Sequence, residues 1–97
     1  MSKRMWVYIL ASKRNGTLYT GVTNDLIRRV WEYRNDLVEG FTKRYQVHRL
    51  AHFEAFDEPE FAIGREKTLK KWPRNWKLAL IEKDNPEWRD LWDDIYR

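Results

Sequence analysis

The segment from Met5 to Ala11, Met-Trp-Val-Tyr-Ile-Leu-Ala, constrains the fold more than any other. It is dense in β-branched and aromatic residues, which suit a pleated surface and read as a strand. Side chains alternate along a strand, so Trp6, Tyr8 and Leu10 share one face and Val7, Ile9 and Ala11 the other. Both faces are apolar, so this strand must be covered on both sides. Asn15-Gly16 follows as a turn signal, because both residue types tolerate positive φ. Leu18 to Val22 then reads as a second strand that closes a hairpin. Gly21 inside it marks a close approach by another backbone or a ligand.

The remaining chain reads mainly as helix. Thr23-Asn24-Asp25 opens a helix to about Asn35, with Thr23 or Asn24 as cap and Asp25 at the positive end of the dipole. Leu26 and Val30 lie one turn apart on its inner side, and Arg29 and Tyr33 one turn apart on a neighbouring face. Asp36 to Arg44 reads as a polar loop, and Val47 to Phe56 as a third strand. Asp57-Glu58-Pro59-Glu60 starts a second helix that runs to Trp72 and meets Pro73. Arg74 to Lys83 is a third. After Asn85-Pro86, the spacing of Trp88, Leu91, Trp92 and Ile95 predicts an amphipathic helix. The order β-β-α-β-α-α-α describes an α+β layer architecture, with a small sheet flanked by helices, in a single domain spanning residues 1–97.

Charge is unevenly spread. Residues 1–50 carry a net +6, residues 51–60 a net −4, residues 61–77 a net +5 and residues 78–97 a net −3. Two positive blocks separated by an acidic one can build a positive face, which suits a polyanion. The acidic segments are expected to face solvent, away from that path. There is no Cys, which excludes a disulfide framework and thiolate zinc sites. The longest charge-free, mainly apolar run, Met5 to Ser12, is far short of the ~20 residues of a membrane span. The opening residues lack a signal-peptide pattern. The expectation is a soluble, cytoplasmic protein with no membrane partner.

Few residues offer chemistry. There is no nucleophilic triad and no Gly-rich phosphate loop. His48 and His52 are expected on one face of the third strand, as partly exposed histidines rather than a metal pair. Tyr8 and Tyr19 lie on adjacent strands of the hairpin and can be neighbours on one face. With Gly21 and Arg29 they can converge, or they can simply pack in the core.

A resemblance bears on that choice. Trp6-Val7-Tyr8-Ile9-Leu10, Leu18-Tyr19-Thr20-Gly21-Val22-Thr23, Asp25-Leu26 and Arg28-Arg29 resemble the GIY-YIG nuclease superfamily. The later Arg65-Glu66-Lys67, Leu69 to Trp72 and Trp76-Lys77 resemble its short, single-domain bacterial members. The resemblance spans essentially the whole chain. It implies a three-stranded antiparallel sheet flanked by helices, and cleavage of nucleic-acid phosphodiester bonds with one divalent metal ion, Mg²⁺ or Mn²⁺. DNA is favoured over RNA as substrate.

The family's motif tyrosines match Tyr8 and Tyr19, its helix arginine Arg29, the next-turn His or Tyr Tyr33, and its metal-binding glutamate Glu66. The implied roles are Tyr8 as base, Tyr19 as positioning or relay group, Arg29 on a phosphate oxygen, and Tyr33 on the attacking water or scissile phosphate. The two tyrosine roles are open to exchange. Arg29 and the metal are expected to lower the phenol pKa from its ordinary ~10. A carboxylate such as Glu66 suits Mg²⁺. Glu66 also has a structural alternative, an ion pair with Lys70 one turn on. Lys67, Lys70, Lys71, Arg74 and Lys77 are candidates for phosphate binding, with Lys43 and Arg44 in the preceding loop.

Three departures stand out. Trp6 replaces the glycine of the first triplet, Thr20 replaces the isoleucine of the second, and no asparagine is matched to the one that often follows the metal glutamate. The chain has no room for a separate DNA-recognition domain, and a weak homodimer could enlarge the contact surface. Two other readings stay open: a non-catalytic nucleic-acid-binding module on the same scaffold, and a structural or protein-interaction domain.

Overall fold

The computed structural model describes residues 4–96. Its elements are β1 (Met5–Ala11), β2 (Leu18–Thr23), α1 (Leu26–Arg34), α2 (Phe41–Arg44), β3 (Arg49–Phe56), α3 (Pro59–Lys71), α4 (Arg74–Asp84) and α5 (Trp92–Tyr96). The strands form one antiparallel sheet in the order β2-β1-β3. The doubly apolar β1 takes the central place, where neither face nor edge meets water.

The two covers are on opposite faces. Tyr8 and Leu10 pack with Leu26, Val30 and Tyr33 of α1, and with Trp92 and Ile95 of α5. Val7 packs on Ala62 and Leu69 of α3, and Ile9 and Ala11 on Ile81 of α4. This is the α+β fold with a three-stranded antiparallel sheet that the sequence predicts. No helix among the described residues is long and apolar enough to cross a membrane.

Local chemistry sets most boundaries. The Asp25 carboxylate accepts the Arg28 backbone N–H at 3.1 Å, so Asp25 itself caps α1, while Thr23 Oγ1 accepts the Asp25 N–H at 3.0 Å. Pro59 opens α3, where its missing N–H costs nothing, and Pro73 separates α3 from α4. Asn15 carries the positive φ of the hairpin turn, 57°.

Three local expectations change. The loop from Asp36 to Arg44 contains the single-turn helix α2, anchored by the buried Thr42, whose carbonyl accepts the Val47 N–H at 2.8 Å. The final helix starts four residues after Trp88, which is fully buried with φ at 55° and therefore not helical. Tertiary bonds explain it: Trp88 Nε1 donates to Glu82 at 2.8 Å, and the buried Asn85 amide donates to the Ala51 and Arg89 carbonyls. His48 and His52 do not act as a pair. His48 precedes β3 and meets Asp36 at 2.7 Å, whereas a register shift opposite Ile9/Leu10 leaves His52 buried against Glu54 at 2.8 Å.

The acidic segments are not simply solvent-facing. Glu54 receives Arg65 through two bonds, of 2.9 and 3.1 Å, beside the His52 contact. Hydrogen bonding from His52, joined by Arg65, outweighs burial and holds the Glu54 carboxyl at about 2. Its folded pKa lies below the unfolded carboxylate value. The pairing therefore stabilises the fold fully above the ordinary pKa of ~4.3 and is lost as pH falls through about 2. Urea unfolding of wild type and Glu54→Gln should differ by on the order of 2 kcal/mol at pH 6, and the gap should shrink steadily toward pH 2.

Candidate active site

The face of the sheet under α1 gathers the tyrosines. Tyr8 lies opposite Gly21, and Tyr19 lies opposite Leu10, so the two are diagonal neighbours across β1 and β2. Tyr33 reaches down from α1 between them. Its hydroxyl is 3.2 Å from that of Tyr8, and its ring centroid is 5.7 Å from that of Tyr19. Tyr8 and Tyr33 are buried; Tyr19 is half-buried at the sheet edge.

Gly21 shows why a glycine stands in the middle of β2. A Cβ there would sit 2.4 Å from the Tyr8 hydroxyl oxygen. The close approach comes from the Tyr8 side chain, not from another backbone or a ligand as expected. Gly21→Ala should therefore cost roughly 1–3 kcal/mol and push Tyr8 off Tyr33, the first read by urea unfolding and the second by an NMR structure.

Arg29 stands over this group from the first turns of α1. Its guanidinium carbon is 5.1 Å from the Tyr33 ring centroid, and Nη1 donates to Glu32 at 3.1 Å. Burial pulls its pKa down, but the Tyr8, Tyr33 and Glu32 oxygens outweigh that and raise it, so Arg29 stays charged. Glu32 is a positioning residue that sequence reasoning passed over. Its i+3 spacing from Arg29 was the available signal.

The phenols move opposite to expectation. Burial pushes Tyr8 above its ordinary value, although Tyr33 and Arg29 both pull it back. Burial likewise raises Tyr19, and pushes Tyr33 up to about 12. Desolvation disfavours the phenolate more than one half-exposed guanidinium favours it. At neutral pH the three tyrosines are neutral phenols, each able to donate and accept a hydrogen bond.

Glu66 is on α3, and its carboxylate is 2.8 Å from Lys70 Nζ. That is the structural alternative weighed for it. The Lys70 charge slightly offsets the burial that raises Tyr19. No group of three or more His, Asp or Glu side chains suited to a metal ion occurs among the described residues. The donor set fits only an ion such as Mg²⁺, which binds through one or two carboxylates and completes its shell with water and substrate phosphate.

The candidate phosphate-binding residues separate. Arg74 donates to the Asn15 and Gly16 carbonyls at 2.7 and 2.6 Å, so its guanidinium braces the hairpin turn at the surface. Lys43 pairs with Glu39 at 3.1 Å on the surface. Arg44 lies over Tyr45, 5.6 Å from the ring centroid. Phe41 meets Tyr45 at 4.9 Å and Tyr19 at 6.5 Å, which places α2 beside the tyrosine edge. Lys67 and Lys71 are exposed on α3, and Lys77 is half-buried on α4.

Comparisons with known proteins bear on the family rather than on these side chains. The family profile described as the GIY-YIG catalytic domain matches residues 4–79. The chain belongs to the GIY-YIG family. That family is a nuclease superfamily, and its match spans the hairpin, α1, β3, α3 and part of α4. A UPF0213 protein of Clostridium perfringens is 40% identical over 76 residues, covering 78% of this chain and 81% of its own. A UPF0213 protein of Syntrophus aciditrophicus is 39% identical over 88 residues, covering 90% of this chain and 98% of its own. The solution NMR structure of a UPF0213 protein from Bacillus halodurans has a TM-score of 0.57 at 28% identity, covering 90% of this chain and 92% of its own. In GIY-YIG terms, the tyrosines of both triplets and the α1 arginine meet on one face of the sheet.

Proposed function

We propose that this protein is a divalent-metal-dependent endonuclease that hydrolyses phosphodiester bonds in DNA. The observation that carries the reading is the convergence of Tyr8, Tyr33 and Arg29: two phenols 3.2 Å apart, with a guanidinium 5.1 Å from the centroid of one ring.

Arg29 binds a non-bridging phosphate oxygen through directed, charge-assisted hydrogen bonds. Tyr8 and Tyr33 hold the attacking water in line. Tyr8 acts in its phenolate fraction: it takes the water proton and becomes the phenol, and the Tyr33 hydroxyl 3.2 Å away holds it in place by hydrogen bonding. Tyr19, at the edge, positions the strand. Glu66 would hold a divalent cation, which when bound would supply Lewis-acid stabilisation of the departing 3′ oxygen. Lys70 must yield part of the Glu66 carboxylate for that ion to bind, and its positive charge is then placed near substrate phosphate. Lys43, Arg44, Lys67, Lys71 and Lys77 contribute sequence-independent attraction to the backbone.

The raised Tyr8 pKa fixes the sign of the pH dependence. A base that starts as a phenol works only in its deprotonated fraction, so kcat/KM should climb about tenfold per pH unit from pH 7 to 9. The profile should show no plateau below the ordinary phenol value. Cleavage of single-stranded, duplex and branched DNA and of RNA with Mg²⁺ or Mn²⁺ tests the reading. Tyr8→Phe should lose about 100-fold in rate, and Glu66→Ala should lose the metal response. Steeply salt-dependent binding without any cutting would instead identify a non-catalytic binding module.

A further inference from the structure

We infer that the tyrosine face continues past Tyr8 into a subsite for the nucleotide flanking the scissile phosphate. Its phosphate lies against Arg4 and Arg28, and its base against Trp6 and Phe53. The inference rests on the nuclease reading and names a part of the substrate path beyond the tyrosine cluster.

Two adjoining cavities carry it. One, of about 600 Å³, is lined by Arg4, Arg28, Arg29 and Glu32. The other, of about 320 Å³, is lined by Trp6, Leu26, Ile27, Phe53 and Ile95. Asn24 and Asp25 line both, so the polar space opens beside the apolar one.

The polar cavity is built for an anion. Three guanidiniums meet two carboxylates there, and both carboxylates are engaged. Glu32 is shared between Arg29 at 3.1 Å and Arg28 at 3.4 Å, and Asp25 accepts the Arg28 N–H at 3.1 Å. One shared carboxylate cannot satisfy two guanidiniums of five donors each. Arg28 is three-quarters exposed, and Arg4 reaches only a loose 4.0 Å contact with Asp57.

The apolar cavity is built for a flat ring. Trp6 is fixed edge-on to Phe53, with centroids 6.0 Å apart, and the Arg4 guanidinium stands 5.8 Å from its ring centroid. Asp94 also lines this space, and its carboxylate is taken by Arg89 at 3.2 Å. Trp6 stands where the first motif triplet has glycine, so an aromatic wall occupies this place. Trp6 and Tyr8 are two residues apart on one face, roughly 6.6 Å along the strand. The occupant must therefore lie beside the reacting phosphate. A purely apolar ligand leaves the arginines unused and a free phosphate leaves Trp6 bare; a nucleotide uses both.

The test titrates thymidine 3′,5′-bisphosphate, without metal, into the full-length ¹⁵N-labelled protein. The Trp6 indole N–H and the Arg28 side-chain N–H are followed by NMR. Both signals should move together and saturate with one Kd, while inorganic phosphate moves only Arg28. R4Q and R28Q should each weaken the bisphosphate about tenfold. A silent Trp6, or unchanged affinity in both variants, overturns the subsite. Cleavage is measured in parallel on the same preparations. Cutting with a silent Trp6 removes the subsite and leaves the nuclease. Saturable binding at Trp6 and Arg28 without cutting keeps the subsite and removes the nuclease.

Discussion

Arg29→Ala is expected to slow DNA cleavage by roughly 10³-fold or more, the scale at which a phosphate-directed arginine acts in phosphoryl transfer. Two losses combine. The developing charge on the phosphoryl oxygens loses its directed donors. The phenols also lose the cation that offsets their burial, so the Tyr8 pKa, already raised, rises further. The pH–rate profile of the variant should therefore shift toward alkaline pH as well as fall. The fold should survive, since the Arg29 side chain is 40% exposed and its ion pair with Glu32 lies near the surface. A urea midpoint close to wild type checks that. Arg29→Lys should rescue little, because an ammonium lacks the planar fork that matches phosphate. Cleavage within threefold of wild type in Arg29→Ala would sink the assigned role.

The largest stability effect should come from a residue far from this chemistry. Trp88→Ala is expected to cost roughly 3–5 kcal/mol, a large share of the 5–15 kcal/mol that holds a typical domain together. Trp88 is fully buried and packs with Ile9, Ala11, Ala51 and Ile81. Its removal empties the space between β1 and α4 and strips Glu82 of the indole donor at 2.8 Å. Trp88→Phe keeps most of the volume and loses that hydrogen bond, so it should cost less. Urea unfolding of the two variants separates cavity from hydrogen bond. Equal losses would mean that the hydrogen bond, not the packing, carries the effect.

The fold was legible wherever pattern is local. The alternation in Met5 to Ala11 announced a strand with two covered faces, and it became the central strand. Pro59 and Pro73 marked helix limits because proline acts within a residue or two of itself. The candidate site was named through the family resemblance, since spacing alone left a core role for the tyrosines open, but the placement of its members is local. Tyr8 and Tyr19 sit on a hairpin whose short turn leaves little freedom in register, and Arg29 and Tyr33 are one helical turn apart. Two local placements then bring all four together once α1 covers the sheet.

The misreadings turned on contacts that the hydrophobic and charge patterns do not carry. Trp88 has helical spacing with Leu91, Trp92 and Ile95, yet Asn85 and Glu82 hold its backbone out of a helix. Arg74 belongs to a basic run, yet it bonds to a turn 58 and 59 residues earlier. Glu54, already bonded to His52, meets Arg65 only because α3 packs across β3.

By itself, then, the sequence determined the α+β class, every element but α2 in order, and the central strand. Periodicity, turn chemistry and side-chain type act over a few residues and survive in a linear reading. Tertiary structure alone decided the protonation of the tyrosines, the partners of Arg74 and the cavities around Trp6. Those depend on how much water is excluded and which charges are brought within a few ångströms. Burial under α1, not the nearness of Arg29, sets the state of Tyr8. Its cause is the cost of desolvating a phenolate, which no single residue encodes.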